Sequence, residues 1–302
     1  MLGFVCLSGI QLNEVSMRTL SALLFVAALA APAMPAALPS IAPDPHDPQY
    51  QAKGDQHRSY VFPGTSEKIP YRVYVPSKWT ASAKLPMMVI LHSGASVDVP
   101  FERGEGVLAK VAEQRNWIVV APMGYYSTPR YNSPYSPIPA KAAAPAPAGG
   151  QTKKNGPPPP TALDKERSEQ DVMLVTDLVA KEYGVDPARV YLFGNSFGGE
   201  GTWYLGQKYP ERWAAIGVAS APISLDGYPY ERLKGLPLLI VHGEKDDVNS
   251  FAAAEKDAQL TKQNGVDVTW MPVKDGTHLE AWCVVLPQML DYFEKHRKKK
   301  QA

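Results

Sequence analysis

The chain has 302 residues, 45% hydrophobic and 20% charged, with a formal net charge of +1. That length suits one large α/β domain with a substantial apolar core. The charge balance argues against a nucleic-acid partner, which needs a marked basic excess, and two cysteines, Cys6 and Cys283, leave little scope for a disulfide framework.

Met17-Arg18-Thr19 precedes the apolar run Leu20–Ala30, and small residues follow. A short basic start, an apolar centre and cleavage-site residues are the order of a signal peptide. The run is shorter than the ~20 residues that cross a bilayer, so residues 17–36 read as a removable leader and not as a stable membrane span. Residues 1–16 contain Glu14 and do not fit such a start, so they are expected to be a non-native start, with Met17 the true first residue. Export to the periplasm or the outside follows. The exported chain would keep Cys283 alone, expected as a buried thiol. Residues 37–57, rich in Ala, Pro and Asp, are expected to form a flexible N-terminus.

Residues 58–298 read as one folded domain. Tyr60–Phe62 and Tyr71–Val75 predict two strands around a Pro-Gly turn. Leu85–Leu91 is continuously apolar, as in a strand buried on both faces of a helix-covered parallel sheet. Val107, Leu108, Val111 and Ala112 recur at helical spacing and predict a helix over 102–115. Trp117–Ala121 is the next buried strand. Residues 124–162 are dense in Pro, Ala, Tyr and Gly, and include Pro157-Pro158-Pro159-Pro160. This composition predicts a surface insertion, partly polyproline-like, without a packed core. Its Tyr125, Tyr126, Tyr131 and Tyr135 either border a substrate site or pack within the exposed loop.

A helix is predicted over 165–183, stopped by Gly184. An apolar strand then runs from Val190 to Gly194. The helix Phe197–Lys208, the strands Trp213–Ser220 and Leu236–Val241, a helix over 250–264, the strand Val266–Pro272 and a last helix over 282–297 follow. Lys298-Lys299-Lys300 either marks a polyanion contact or simply places positive charge at that helix's C-terminus, where it is favourable. Strands alternate with helices from Leu85 onward, after an antiparallel start. That order predicts an α/β fold: a mostly parallel central sheet with helices on both faces and antiparallel strands at the N-terminal edge.

The chemistry centres on Gly194-Asn195-Ser196-Phe197-Gly198-Gly199. Gly-x-Ser-x-Gly between a strand and a helix predicts a sharp turn that holds Ser196 strained and exposed. It also leaves the N–H of Phe197 at a helix N-terminus, where it can stabilise an oxyanion. A serine hydroxyl needs a base, and the base an orienting carboxylate. Of the six histidines, His46 and His57 precede the core, His296 lies in the charged C-terminal turn, and His92 and His242 end buried strands. His278, in Asp275-Gly276-Thr277-His278, follows the last strand, at the sheet edge where open α/β folds build their sites. Asp246 leaves the Leu236–Val241 strand on the same edge. Asp247 is its close rival, and Asp275 is too near His278 in sequence for comfortable orientation. A second oxyanion donor is expected in His92-Ser93-Gly94-Ala95, from a free N–H of Gly94. Trp282 either lines the pocket or packs its helix.

Taken together, Leu91-His92-Ser93-Gly94, Gly194–Gly199, His242-Gly243-Glu244-Lys245-Asp246 and Gly276-Thr277-His278 resemble the α/β-hydrolase superfamily. The detail is similar to secreted esterases of the feruloyl-esterase and polyhydroxybutyrate-depolymerase type, and also to the catalytic domain of prolyl oligopeptidase-like hydrolases. The resemblance covers roughly Ser59 to Lys298. It implies Ser196 as nucleophile, His278 as base and Asp246 as acid, an ester substrate, and no metal or cofactor. Many members carry His-Gly where this chain has His92-Ser93, which leaves the first oxyanion donor open. Three readings follow: a secreted serine hydrolase cleaving carboxylic esters through an acyl-enzyme, a prolyl oligopeptidase-like peptidase, and a non-catalytic binding protein on a hydrolase fold.

Overall fold

The structure, a computed structural model, describes residues 40–94, 96–140 and 159–298. The expected start and leader (1–36), part of the insertion, Lys299 and Lys300 lie outside the described residues. In chain order the elements are β1 Gly54–Val61, β2 Lys68–Val75, β3 Met87–Leu91, α1 Val99–Glu102, α2 Val107–Arg115 and β4 Ile118–Pro122. Then come α3 Ala162–Tyr183, β5 Val190–Asn195, α4 Phe197–Lys208, β6 Ile216–Ala219, β7 Leu238–Gly243, α5 Phe251–Gln263, β8 Val268–Val273, α6 Ala281–Val284 and α7 Leu286–Glu294.

The strands form one sheet in the order β1-β2-β4-β3-β5-β6-β7-β8. β1, β2 and β4 pair antiparallel, and every pair from β4 through β8 is parallel. The two faces carry separate cores. Successive residues of β5 point to opposite sides: Leu192 lies in one core with Val175 of α3 and Trp203 of α4, while Phe193 lies in the other with Leu108 of α2 and Phe293 of α7. A strand covered by helices on both sides must be apolar at every position, which is why β3, β4 and β5 lack polar–apolar alternation. All parallel strands run the same way, so the loops after β3, β5, β7 and β8 open on one edge.

Several expectations are corrected. β1 begins at Gly54, inside the stretch expected to be flexible. Its Arg58 is buried and donates to Glu182 of α3 at 2.7 Å, and the Gln51 N–H donates to the same carboxylate at 2.8 Å. The partner lies more than a hundred residues away, so local composition does not reveal it. The helix expected from 102 begins only at Val107, because Gly104, Glu105 and Gly106 adopt left-handed backbone with φ of 56°, 56° and 73°. The last helix is two: Pro287 stands in the first turn of α7 and lacks the N–H that a continuous helix would use. α3 starts at Ala162, under a capping box in which Thr161 and Asp164 exchange hydrogen bonds.

The largest correction concerns the insertion. Its residues up to Ala140 are laced to the domain. Tyr131 is fully buried in the core, and its hydroxyl donates to the His92 carbonyl at 3.1 Å. A Cβ at position 201 would lie 2.5 Å from the Tyr131 ring, so Gly201 of α4 makes room for it. Ile138 N–H donates to Pro222 O at 2.8 Å, Ala140 N–H to Val248 O at 2.9 Å, and Ser250 N–H to Ile138 O at 2.8 Å.

Candidate active site

Ser196 stands between β5 and α4 with φ 55° and ψ −120°, a sparsely populated conformation for a residue with a side chain. The surrounding glycines are required by close approach. A Cβ at Gly194 would lie 2.1 Å from the Gly198 carbonyl oxygen, one at Gly198 2.0 Å from the Leu91 oxygen, and one at Gly199 2.5 Å from the Ala221 Cβ. α4 therefore seats directly on β3 and β5. The strain at Ser196 is held from both sides, since its N–H donates to Ala219 O at 2.9 Å and its carbonyl accepts from Glu200 N–H at 3.0 Å.

His278 lies in the loop after β8, and its Nε2 is 3.0 Å from Ser196 Oγ. Its Nδ1 is 3.0 and 2.9 Å from the two carboxylate oxygens of Asp246. A carboxylate accepts and does not donate, so Nδ1 carries the proton and the bare Nε2 faces the hydroxyl. Burial opposes the charge on Asp246, but hydrogen bonds from His242, His278 and the Asn249 N–H outweigh it and hold the carboxyl well below the usual carboxylate range. An imidazole so oriented can take the hydroxyl proton as the oxygen attacks an electrophile, and the fixed carboxylate can stabilise the imidazolium that results.

Glycine also sets the spacing of the two loops. A Cβ at Gly243 would lie 2.2 Å from the Gly276 oxygen, and Lys245 N–H donates to that oxygen at 2.9 Å. The side chain of Asn195 donates to the His278 carbonyl at 3.2 Å. Of the rival acids, Asp247 is exposed, and Asp275 is exposed and paired with Lys245 at 2.7 Å. Only Asp246 reaches His278.

Sequence reasoning missed two contributors. His242, placed only at a strand end, sits with Nε2 3.1 Å from Asp246 Oδ2. Its separation of four residues from Asp246, across a tight turn, was the available signal. His92 was the other. Its Nε2 donates to Met123 O at 2.8 Å, which leaves Nδ1 bare, and Nδ1 accepts the Gly94 N–H at 3.2 Å. Burial disfavours the charged form of His92, which keeps the ring neutral. The Gly94 N–H is therefore engaged, not free as expected. The loop itself is well placed, because a Cβ at Gly94 would be 4.0 Å from the Phe197 ring, and Gly94 uses a φ of 133° that favours glycine. Phe197 is the first residue of α4, at its N-terminus.

Trp282, Tyr125 and Tyr135 make packing or hydrogen-bond contacts with the rest of the domain. Trp282 is buried with its ring 5.6 Å from that of Phe193. Tyr125 bonds Glu67 and Arg167, and Tyr135 packs 5.3 Å from Tyr228. Tyr126 is half-buried. Burial pushes the Cys283 thiol up to about 12, so it is an inert core group. Among the described residues, no three His, Cys, Asp or Glu side chains converge as a metal site, and no helix is long and apolar enough to cross a membrane.

The Esterase family model, described as "Putative esterase", matches residues 63–298. A bifunctional acetylxylan esterase/xylanase of Neocallimastix patriciarum is 24% identical over 183 residues, which are 61% of this chain and 22% of that protein. The chain thus spans about a fifth of that relative's length. A solved thermostable esterase superposes with a TM-score of 0.59 at 21% identity, over 81% of this chain and 63% of that one. A ferulic acid esterase of Anaeromyces mucronatus, solved in complex with ferulic acid, superposes with a TM-score of 0.56 at 15% identity, over 82% and 95% of the two chains. At these identities the structural likeness establishes the α/β fold.

Proposed function

We propose that this chain, a member of the esterase family, is a carboxylic ester hydrolase that works by two-step acyl transfer on Ser196, outside the cytoplasm. Ser196 Oγ attacks the ester carbonyl while its proton passes to His278 Nε2. Asp246 keeps Nδ1–H oriented and stabilises the imidazolium. The N–H of Phe197, at the N-terminus of α4, holds the oxyanion. The imidazolium then protonates the departing alcohol. Water next attacks the acyl-enzyme with His278 again as base, releasing the acid and restoring Ser196. The observation that carries this reading is the unbroken relay from Asp246 through His278 to Ser196 at 2.9 and 3.0 Å.

The substrate class is an ester of a small acyl group with a carbohydrate or small alcohol. The names of the relatives, acetylxylan esterase and ferulic acid esterase, support acetyl and hydroxycinnamoyl groups. The leader pattern at residues 17–36 supports export.

The test is turnover of p-nitrophenyl acetate, a feruloyl ester, a polyester and Pro-containing peptides by the protein and by Ser196→Ala. Loss of ester turnover by ~10³-fold or more, with loss of fluorophosphonate labelling, is expected. Equal turnover by the two proteins would remove Ser196 from the mechanism, and cleavage of peptides alone would reverse the choice of substrate. Recovery of the uncleaved chain from the cytoplasm would refute export.

A further inference from the structure

We infer that His242 is a positioning residue for the Ser196 chemistry, clamping the carboxylate of Asp246 through its Nε2–H; this rests on the acyl-transfer reading above. His242 is the penultimate residue of β7 and is fully buried. Its Nε2 faces two oxygens, Asp246 Oδ2 at 3.1 Å and Asn249 O at 3.2 Å. Both are acceptors, so Nε2 must carry the proton, and one tautomer is imposed. Nδ1 is then a bare acceptor, buried with no hydrogen-bond partner among the described residues. An unpaired buried acceptor costs free energy that a hydrocarbon side chain in the same place would not. What the imidazole supplies, and a hydrocarbon would not, is the Nε2–H.

The donors around Asp246 explain why that proton matters. Its Oδ1 accepts the Val248 and Asn249 N–H groups at 3.0 and 2.8 Å. Besides His278, the donor facing Oδ2 is His242. Without it, one oxygen would be held by the backbone and the other only by the imidazole it is meant to orient. The shared proton also ties in Asn249, whose side chain donates to Ser220 O at 2.7 Å. One ring thus braces the acid loop against the ends of β6 and β7. The titratable groups facing this ring are Asp246 and, beyond it, His278; from α5 the uncharged Phe251 packs edge-on at 6.0 Å.

Removing the donor does two things. The carboxylate gains freedom to rotate, which misorients His278. Its charge is also less shared, so it favours imidazolium more strongly and the acidic limb of the pH–rate profile moves to higher pH. His242 is buried away from solvent, so KM should barely respond.

The experiment compares His242→Gln, whose amide nitrogen reaches the Nε2 position, with His242→Asn, whose shorter amide falls short of Asp246, and with His242→Leu. The expected result is a kcat loss of about 10-fold or more in the Asn and Leu variants, a KM within about 2-fold of the parent, and an upward shift of the acidic limb, with most of kcat and the original limb restored in His242→Gln. If His242→Leu does not fold, the Gln–Asn pair decides. Equal kcat and pH profiles for Gln and Asn variants would overturn the inference, as would a parent-like profile in His242→Leu. Asp246→Asn separates the two levels. If it keeps full activity, the acid assignment fails; if it is inactive while His242→Asn is unaffected, only the role of His242 fails.

Discussion

The side chain of Asn195 donates to the main-chain carbonyl of His278 at 3.2 Å, so the residue before the serine holds the residue that carries the imidazole. The same amide reaches Ala219 O at 3.5 Å. Asn195→Ala would leave a buried carbonyl short of a donor, at a cost of about 1–3 kcal/mol. A lower melting temperature and a kcat/KM reduced by about 10-fold are expected, the latter from a base loop that is no longer pinned. Unchanged kcat/KM beside a lowered melting temperature would make the contact purely structural.

Gly243→Ala tests how tightly the two loops are matched. The new Cβ would stand 2.2 Å from the backbone oxygen of Gly276. Backbone cannot yield as a flexible side chain can, so the loop carrying His278 must move by about 1 Å, a displacement able to cost ~10²-fold in rate. The measurement is kcat/KM alongside far-UV circular dichroism. A variant with native spectrum and full activity would show that the loops have slack.

The amides of Ile138, Ala140 and Ser250 should exchange slowly with deuterium, although two of them lie in a segment whose composition reads as unstructured. Each donates to a backbone carbonyl at 2.8–2.9 Å, the Ile138 N–H tying this segment to Pro222 in the loop after β6 and the other two tying it to the loop that carries Asp246. Hydrogen-exchange mass spectrometry resolves the peptides. Random-coil rates at Ile138 and Ala140 would show that the lacing does not persist in solution.

Stability should fall with rising pH through one buried acid. Burial pushes the Glu200 carboxyl up to about 7, the nearby Arg130 charge only partly opposing it. Glu200 is fully buried, and neither carboxyl oxygen has a hydrogen-bond partner among the described residues. In the unfolded chain a glutamate titrates at about 4.3. Between roughly pH 4 and pH 7 the folded state therefore holds a proton that the unfolded state has released. The contribution is complete below the lower value and is lost as pH rises through the upper one. Glu200→Gln cannot ionise, so its melting temperature should change less between pH 5 and pH 8 than the parent's, by several degrees at roughly 2–4 °C per kcal/mol. Parallel melting curves across that window would exclude Glu200 as the source.

Much of the fold could be read locally. Apolar runs such as Val89-Ile90-Leu91 and Ile118-Val119-Val120 mark strands covered on both faces, because only such strands can dispense with polar positions. Breaks in the helices were harder. Pro287 was visible, yet its effect was hidden by the apolar stripe around it. The left-handed turn at residues 104–106 depended on glycines that composition treats as neutral within a helix.

What the amino-acid sequence determined on its own was a set of separate facts: a parallel sheet, a glycine-bounded serine at a strand–helix junction, and His278 and Asp246 in loops on the same edge. These follow from periodicity and from the steric demands of a turn, both of which act over a few residues. Which partners meet depends on how the assembled sheet brings its loops together. The tertiary structure chose Asp246 over Asp247 and Asp275, engaged the Gly94 amide with His92, set His242 behind the carboxylate, and drew Tyr131 from a proline-rich stretch into the core. Each of these contacts joins groups whose spacing along the chain carries little signal, because hydrogen bonds and packing depend on distance in space and are set only when the sheet brings its loops to one edge.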